Sequence, residues 1–283
     1  MHHSLTHLIA PWSAKGLKHP NRGRRSWQTS LFAVGLALAS ALSATIVQAE
    51  TPETAPADLK QALSQIDAAA NSRNLQGVLQ FYSPNFSHSD GLTRQSLEQS
   101  LSKLWSRYPT LNYRTELKSW KPDGSGISAE TVTYITGSYK QGNREFKLNS
   151  TLAATQRFEN RAIVRQEVVS ERSETKSGSN PPTLKLTLPE QVNANEEFSI
   201  DAVVQEPLGD SLLLGAALEE SIKPEGYLNP TTVNLELLAA GGIFKVGRAP
   251  TAPDNRWISA VVVRQDGMTM VTQRLRVVGK PAK

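Results

Sequence analysis

Residues 73–91 read Arg73-Asn74-Leu75-Gln76-Gly77-Val78-Leu79-Gln80-Phe81-Tyr82-Ser83-Pro84-Asn85-Phe86-Ser87-His88-Ser89-Asp90-Gly91. Leu75, Val78, Leu79 and Tyr82 fall at helical spacing, and Pro84 stops the run. Phe86 to Asp90 is then a short extended piece closed by the turn residue Gly91. Upstream, Leu59, Ala62, Leu63, Ile66, Ala69 and Ala70 predict a first helix, with Asp58 near its start where a negative charge suits the helix dipole. Downstream, Leu97, Leu101, Leu104 and Trp105 predict a third helix that ends before Pro109. Four extended runs follow, at about 112–121, 127–140, 144–159 and 162–172. They are separated by Pro122-Asp123-Gly124-Ser125-Gly126, Gln141-Gly142-Asn143 and Glu159-Asn160-Arg161, which read as hairpin connections of an antiparallel meander. Three helices on one face of a curved antiparallel sheet is an α+β layer arrangement.

This order, and the stretch 73–91 above all, resembles the nuclear transport factor 2-like superfamily, the cone-shaped fold shared with SnoaL-like proteins and ketosteroid isomerases. The resemblance covers roughly 57–172. It implies a cone with a cavity, and a superfamily that hosts isomerases, dehydratases, hydrolases and purely binding members. Fold alone does not choose among them. The resemblance also implies that Asp90 falls where isomerase members carry their general base. Residues alternate sides along a strand, so Phe86, His88 and Asp90 are expected to point the same way. Asp90 and His88 are therefore the candidate catalytic pair, able to share a proton or divide acid and base work. Tyr82, Asp90, His88, Tyr113 and Tyr134 are the candidate ligand-pocket residues. A second reading stands beside the first. Asp90-Gly91-Leu92-Thr93 is also a turn and helix start, where Asp and Thr cap free N–H groups. The position where the resemblance places an oxyanion-stabilising tyrosine holds Ile66, which cannot donate a hydrogen bond. Such a donor contributes about 10²–10³ in rate, so the steroid isomerase reaction is not expected. Asp90→Asn is expected to leave the fold intact.

Residues 173–182, Ser-Glu-Thr-Lys-Ser-Gly-Ser-Asn-Pro-Pro, have the composition of a polar linker. Beyond them, Thr183 to Leu188 alternates with period two, and Gln265-Asp266-Gly267 reads as a hairpin turn. Short strands at this spacing predict an all-β, immunoglobulin-like sandwich over 183–279. The stretch Leu188 to Phe198 is similar to the opening of bacterial immunoglobulin-like modules. The expected organisation is thus a signal at 1–49, a short linker at 50–56, the cone domain at 57–172, the polar linker at 173–182 and the sandwich at 183–279.

Arg22 to Arg25 precede an apolar run, Leu31 to Val47, and Val47-Gln48-Ala49 has a small-x-small cleavage pattern. The run is shorter than the roughly 20 residues of a membrane span. The chain is therefore expected to be exported to the periplasm or cell envelope, with cleavage after Ala49. Of the 31 Lys and Arg residues, five lie before residue 50 and no acid does, which leaves 26 bases against 26 acids. That balance gives no support for nucleic-acid binding. There is no cysteine, and His88 is the only histidine after residue 49, so no metal site or cofactor is expected. The preferred reading is an exported, non-catalytic protein that holds a small apolar ligand, pairs with a second copy through the cone-domain sheet, or docks an envelope protein. The alternative is a periplasmic isomerase, dehydratase or hydrolase acting on a small organic substrate through Asp90 with His88.

Overall fold

The computed structural model describes residues 49–207, 209, 212–229, 233–238 and 241–279. Apart from Ala49, the expected export signal lies outside the described residues.

The first half builds as its periodicities require. Helix α1 (Ala57–Asn71) buries Leu59, Ala62, Leu63 and Ala70. Helix α2 (Leu75–Leu79) is capped by the Asn74 side chain, which accepts from the Gly77 N–H at 2.8 Å. Strand β1 (Tyr82–His88) and helix α3 (Arg94–Arg107) follow, and Thr93 with Ser96 forms a capping box on α3. Then come β2 (Thr110–Asp123), β3 (Gly126–Gln141), β4 (Arg144–Glu159) and β5 (Ala162–Gly178), antiparallel in sequence order. The second half contributes β6 (Leu184–Thr187), β7 (Gln191–Asn193), β8 (Glu197–Val204), β9 (Leu214–Ser221), α4 (Pro224–Leu228), β10 (Glu236–Leu237), β11 (Gly242–Arg248), β12 (Asp254–Arg264) and β13 (Gly267–Val278).

The expected fold, a three-helix cone followed by a separate immunoglobulin-like sandwich, is corrected by the strand order. One sheet runs β10-β9-β12-β13-β5-β4-β3-β2, with β1 added on β5 and β7 on β13, so strands from both halves share it. Four α-helices accompany 13 strands among the described residues, and the architecture is dominated by β structure. A second sheet, β11-β8-β6, packs over a core that includes Phe198, Ile200, Ile258, Val271 and Leu275.

Strand β5 is the joint. The first six residues of the stretch read as a linker, 173–178, are its C-terminal third. They bond β4 on one side and β13 on the other, with Ser173 opposite both Ser150 and Thr272. Their backbone groups are held by neighbouring strands whatever the side chains, so linker composition alone did not distinguish the two states. Gly178, at φ 105°, ends the strand where a Cβ would lie 2.4 Å from the Asp266 oxygen. Only glycine fits that left-handed, crowded position.

Pleating carries the two faces across the joint. Leu148, which packs beneath the helices, lies opposite Thr175, and Thr175 lies opposite Met270. Val271, in the core under the second sheet, lies opposite Glu174. The helices therefore cover one face of the large sheet at one end, and the three-stranded sheet covers the opposite face at the other.

The free edge of β2 is sealed from within the chain. Asn71 accepts from the Tyr113 N–H at 2.6 Å and donates to its carbonyl at 2.9 Å. Asp67 accepts from the Thr115 N–H at 2.6 Å, and Arg73 donates to the Leu111 carbonyl at 2.8 Å. Further along, Glu50 bridges Trp120 with two backbone hydrogen bonds. Edge groups that could template another chain are thereby occupied.

Candidate functional site

Two strands meet end to end along one edge of β5, and the gap between them is where Asp90 sits. Strand β1 runs parallel to β5 from Ile163 to Gln166, and β13 runs antiparallel to it from Gly178 back to Arg172. Residues 167–171 of β5 lie between the two. Ser89 spans part of that interval: its N–H donates to the Gln166 carbonyl at 2.9 Å, and its Oγ accepts from the Val168 N–H at 3.2 Å. Gly91 turns the chain away at φ 79°.

Arg274 reaches into the gap from β13. Its Nη1 donates to Asp90 Oδ1 at 2.9 Å and its Nη2 to Oδ2 at 2.8 Å, a bidentate pair. Nη2 also donates to Glu171 Oε2 at 3.1 Å. The Tyr227 hydroxyl, from α4, donates to Asp90 Oδ2 at 2.7 Å, and Asn255 Nδ2 donates to Oδ1 at 3.1 Å. Trp257 closes the cluster, with its indole N–H on Glu171 at 3.0 Å and its ring edge-on to Tyr227 at 4.8 Å. The side chains of Asp90 and Arg274 are both 0% exposed.

Burial alone would raise the Asp90 carboxyl, but the hydrogen bonds and charge of Arg274, with help from Tyr227 and His88, hold it below the ordinary carboxylate range. Burial works against the Arg274 charge in the same way, and the bonds to Asp90 and the charges of Glu171 and Asp90 keep it protonated. Burial and the neighbouring carboxylates push the Tyr227 hydroxyl far up. His88 accepts from the Asp90 N–H through Nδ1 at 3.1 Å, which only the unprotonated nitrogen can do. Its Nδ1 lies 3.6 Å from Asp90 Oδ2. Burial holds His88 below its usual value, and Arg274 acts in the same direction, against the pull of Asp90.

A histidine whose folded pKa is depressed stabilises the fold above its unfolded value and loses that contribution as pH falls. Stability of the chain should therefore begin to decline below about pH 6.5, the ordinary imidazole value. His88→Gln should move the start of that decline down into the carboxylate range. Urea unfolding across pH 4–8 checks this, and identical profiles for the two proteins would remove His88 from the account.

The other expected pocket residues do not join this cluster. Tyr82 packs edge-on to Phe86 at 4.9 Å between the two core groups under the helices, and burial pushes its hydroxyl up to about 12. Tyr113 is buried and accepts the Trp105 indole N–H at 2.9 Å. Tyr134 is corrected as a pocket residue. It lies directly opposite Arg114, whose guanidinium sits 4.3 Å from its ring centre, on the face away from the helices. Its register neighbour Ile135 takes the inward position instead. Helix capping at 90–93 falls to Thr93 alone, while Asp90 is spent on Arg274.

Sequence reasoning missed Arg274, Tyr227, Asn255 and Glu171. Arg274 occupies the same parity as Met270 and Thr272 on β13, the parity that faces the helices. Its strand was readable, but a partner 184 residues away was not.

Among comparisons with known proteins, a family model described as "Domain of unknown function (DUF8623)" matches residues 179–278, from the end of β5 to the end of β13. No curated protein matches the chain. A solved structure of Bdellovibrio bacteriovorus Bd1075 is similar at 16% identity over 39% of this chain and 38% of that one, with a TM-score of 0.29. This chain thus spans well under half the length of that protein. A cystatin-fold protein from Novosphingobium aromaticivorans matches at 15% identity over 41% of this chain and 99% of its own, TM-score 0.28. The Δ5-3-ketosteroid isomerase of a Mycobacterium species matches at 12% identity over 39% and 91%, TM-score 0.29. The structural neighbours include SnoaL-like and ketosteroid isomerase-like proteins over about 40% of the chain. At these scores they decide nothing about the chemistry of Asp90.

Proposed function

We propose that this is a non-catalytic interaction protein whose two halves are locked by a buried ion pair. The observation that carries the reading is the Asp90 carboxylate: it is sealed from solvent and takes hydrogen bonds from Arg274, Tyr227 and Asn255. A general base needs a lone pair within reach of substrate and a pKa near the working pH. Asp90 has neither, since Arg274 holds its pKa below the ordinary range. The space beneath the helices supports the same reading. The depression at the start of α1, lined by Leu59, Ala62, Ile127 and Phe158, has a volume near 200 Å³. Ligand pockets run to roughly 300–1,000 Å³. Larger depressions among the described residues, near 570 and 600 Å³, are open surface grooves, one lined by Leu75, Gln95, Glu98 and Lys103 and the other by Arg144, Lys147, Leu148 and Glu174.

The place of action proposed is the cell envelope, on the strength of Arg22 to Arg25, the apolar run and Val47-Gln48-Ala49. Native mass spectrometry of the protein gently purified from its source tests the reading. The expected spectrum shows protein-only species. A small organic molecule retained in stoichiometric amount would favour the ligand-holding alternative and count against this one.

A further inference from the structure

The three-stranded sheet β11-β8-β6 ends in an edge of a different kind from that of β2. Strand β11 spans seven residues and, among the described residues, pairs only β8. Val204 N–H bonds the Gly241 carbonyl at 2.9 Å, and Ala249 N–H bonds the Glu196 carbonyl at 2.8 Å. Antiparallel ladders alternate, so residues 243, 245 and 247 also turn their backbone groups toward β8. The N–H and C=O groups of Gly242, Phe244, Val246 and Arg248 therefore point away from β8, along an edge that no strand among the described residues covers.

The side chains of these outward-bonding residues are also apolar and bare. Phe244 is 62% exposed and Val246 72%. Gly247 faces inward, where a Cβ would meet the Phe198 ring at 2.7 Å, which fixes Phe244 and Val246 on the outer face. Strand β11 lies against β9, whose own outer neighbour is the two-residue β10. Leu237, at 64% exposure, lies opposite Leu214 on the face of the large sheet turned away from the three-stranded sheet, and so is not part of the Phe244–Val246 surface. Exposed apolar side chains on a strand edge with no partner among the described residues mark an association surface.

We propose that this edge pairs with a second copy of the chain, β11 against β11 about a two-fold axis at Val246. A strand running antiparallel to itself is self-complementary, as a two-fold interface must be. The register supports this occupant. With Val246 opposite the second copy's Val246, Lys245 falls opposite Gly247, and Phe244 falls opposite Arg248. No like charges fall directly opposite one another, the two Lys245 side chains being only diagonal neighbours, and each Arg248 faces an aromatic ring while keeping its own Glu197. The result is a six-stranded sheet across the two copies. This assembly stands apart from the role of Asp90 and from the Tyr134 face.

The chain has no cysteine, so Val246→Cys introduces a single thiol at the proposed axis. Facing residues of an antiparallel pair are about 5.5 Å apart, within disulfide reach. Mild oxidation of the full chain should link Val246→Cys into dimers, while Val169→Cys, on β5, should stay single. Sedimentation velocity should find the unaltered chain dimeric. Val246→Lys, which sets two ammonium groups opposite each other at a bare position, should be monomeric with an unchanged circular dichroism spectrum. A monomeric parent chain, a dimer that survives Val246→Lys, or equal cross-linking at both thiols would overturn the proposal.

Discussion

Asp90→Asn should cost this protein about 3–5 kcal/mol of folding stability, the penalty for stripping one partner from a buried ion pair. This reverses the expectation from sequence, in which Asp90 was free to lose its charge. Arg274, Tyr227 and Asn255 all donate to Asp90. An amide at the same place turns an NH₂ group toward some of those donors and leaves the Arg274 guanidinium with Glu171 as its remaining carboxylate. Domain stabilities are about 5–15 kcal/mol, so the loss is a large share of the whole. Urea unfolding measures it, and a change under about 1 kcal/mol would be the size of a surface pair and would sink the idea.

Arg274→Met should be at least as damaging at neutral pH, by about 3–5 kcal/mol again. It leaves the buried carboxylate of Asp90 and the half-buried one of Glu171 to face each other without the cation between them. Its pH dependence falls in a range that Asp90→Asn does not share, since the deficit of Asp90→Asn changes only where the parent's own Asp90 protonates, below the ordinary Asp value. Without Arg274, burial becomes the dominant influence on Asp90 and pushes its pKa above the unfolded value. A carboxyl with a raised folded pKa contributes stability below its unfolded pKa and loses it as pH rises through the folded one. The deficit of Arg274→Met relative to the parent should therefore shrink on acidification from pH 8 toward pH 4, a range in which the parent keeps the Asp90 contribution. A deficit that is constant from pH 8 to pH 4 would mean that the two side chains are not electrostatically coupled.

Local structure was legible where local rules govern it. The hairpin breaks at 122–126, 141–143 and 159–161 stand between β2, β3, β4 and β5 as turn chemistry requires. The apolar spacing of α1 and the stop before Pro109 are likewise short-range signals. What stayed hidden was long-range. Ser-Glu-Thr-Lys-Ser-Gly becomes strand because β4 and β13 happen to flank it, and no property of those six residues reports their neighbours. The same holds at Asp90. Its position near His88 could be read from spacing, and the two lie 3.6 Å apart. Its chemistry is set by Arg274, Tyr227 and Asn255, which come from the far half of the chain. Tyr134 shows the converse failure. Aromatic identity suggested a pocket, while strand parity relative to Ile135 put it on the other face.

The most direct test is the coupling free energy between Asp90 and Arg274, from urea unfolding of the parent, Asp90→Asn, Arg274→Met and the double variant at pH 7. A sealed, bidentate pair predicts strong non-additivity, about 2–3 kcal/mol, with the double variant less unstable than the sum of the singles. Additive single effects, with coupling within about 0.5 kcal/mol of zero, would contradict the account and return Asp90 to the list of groups free to act on a substrate.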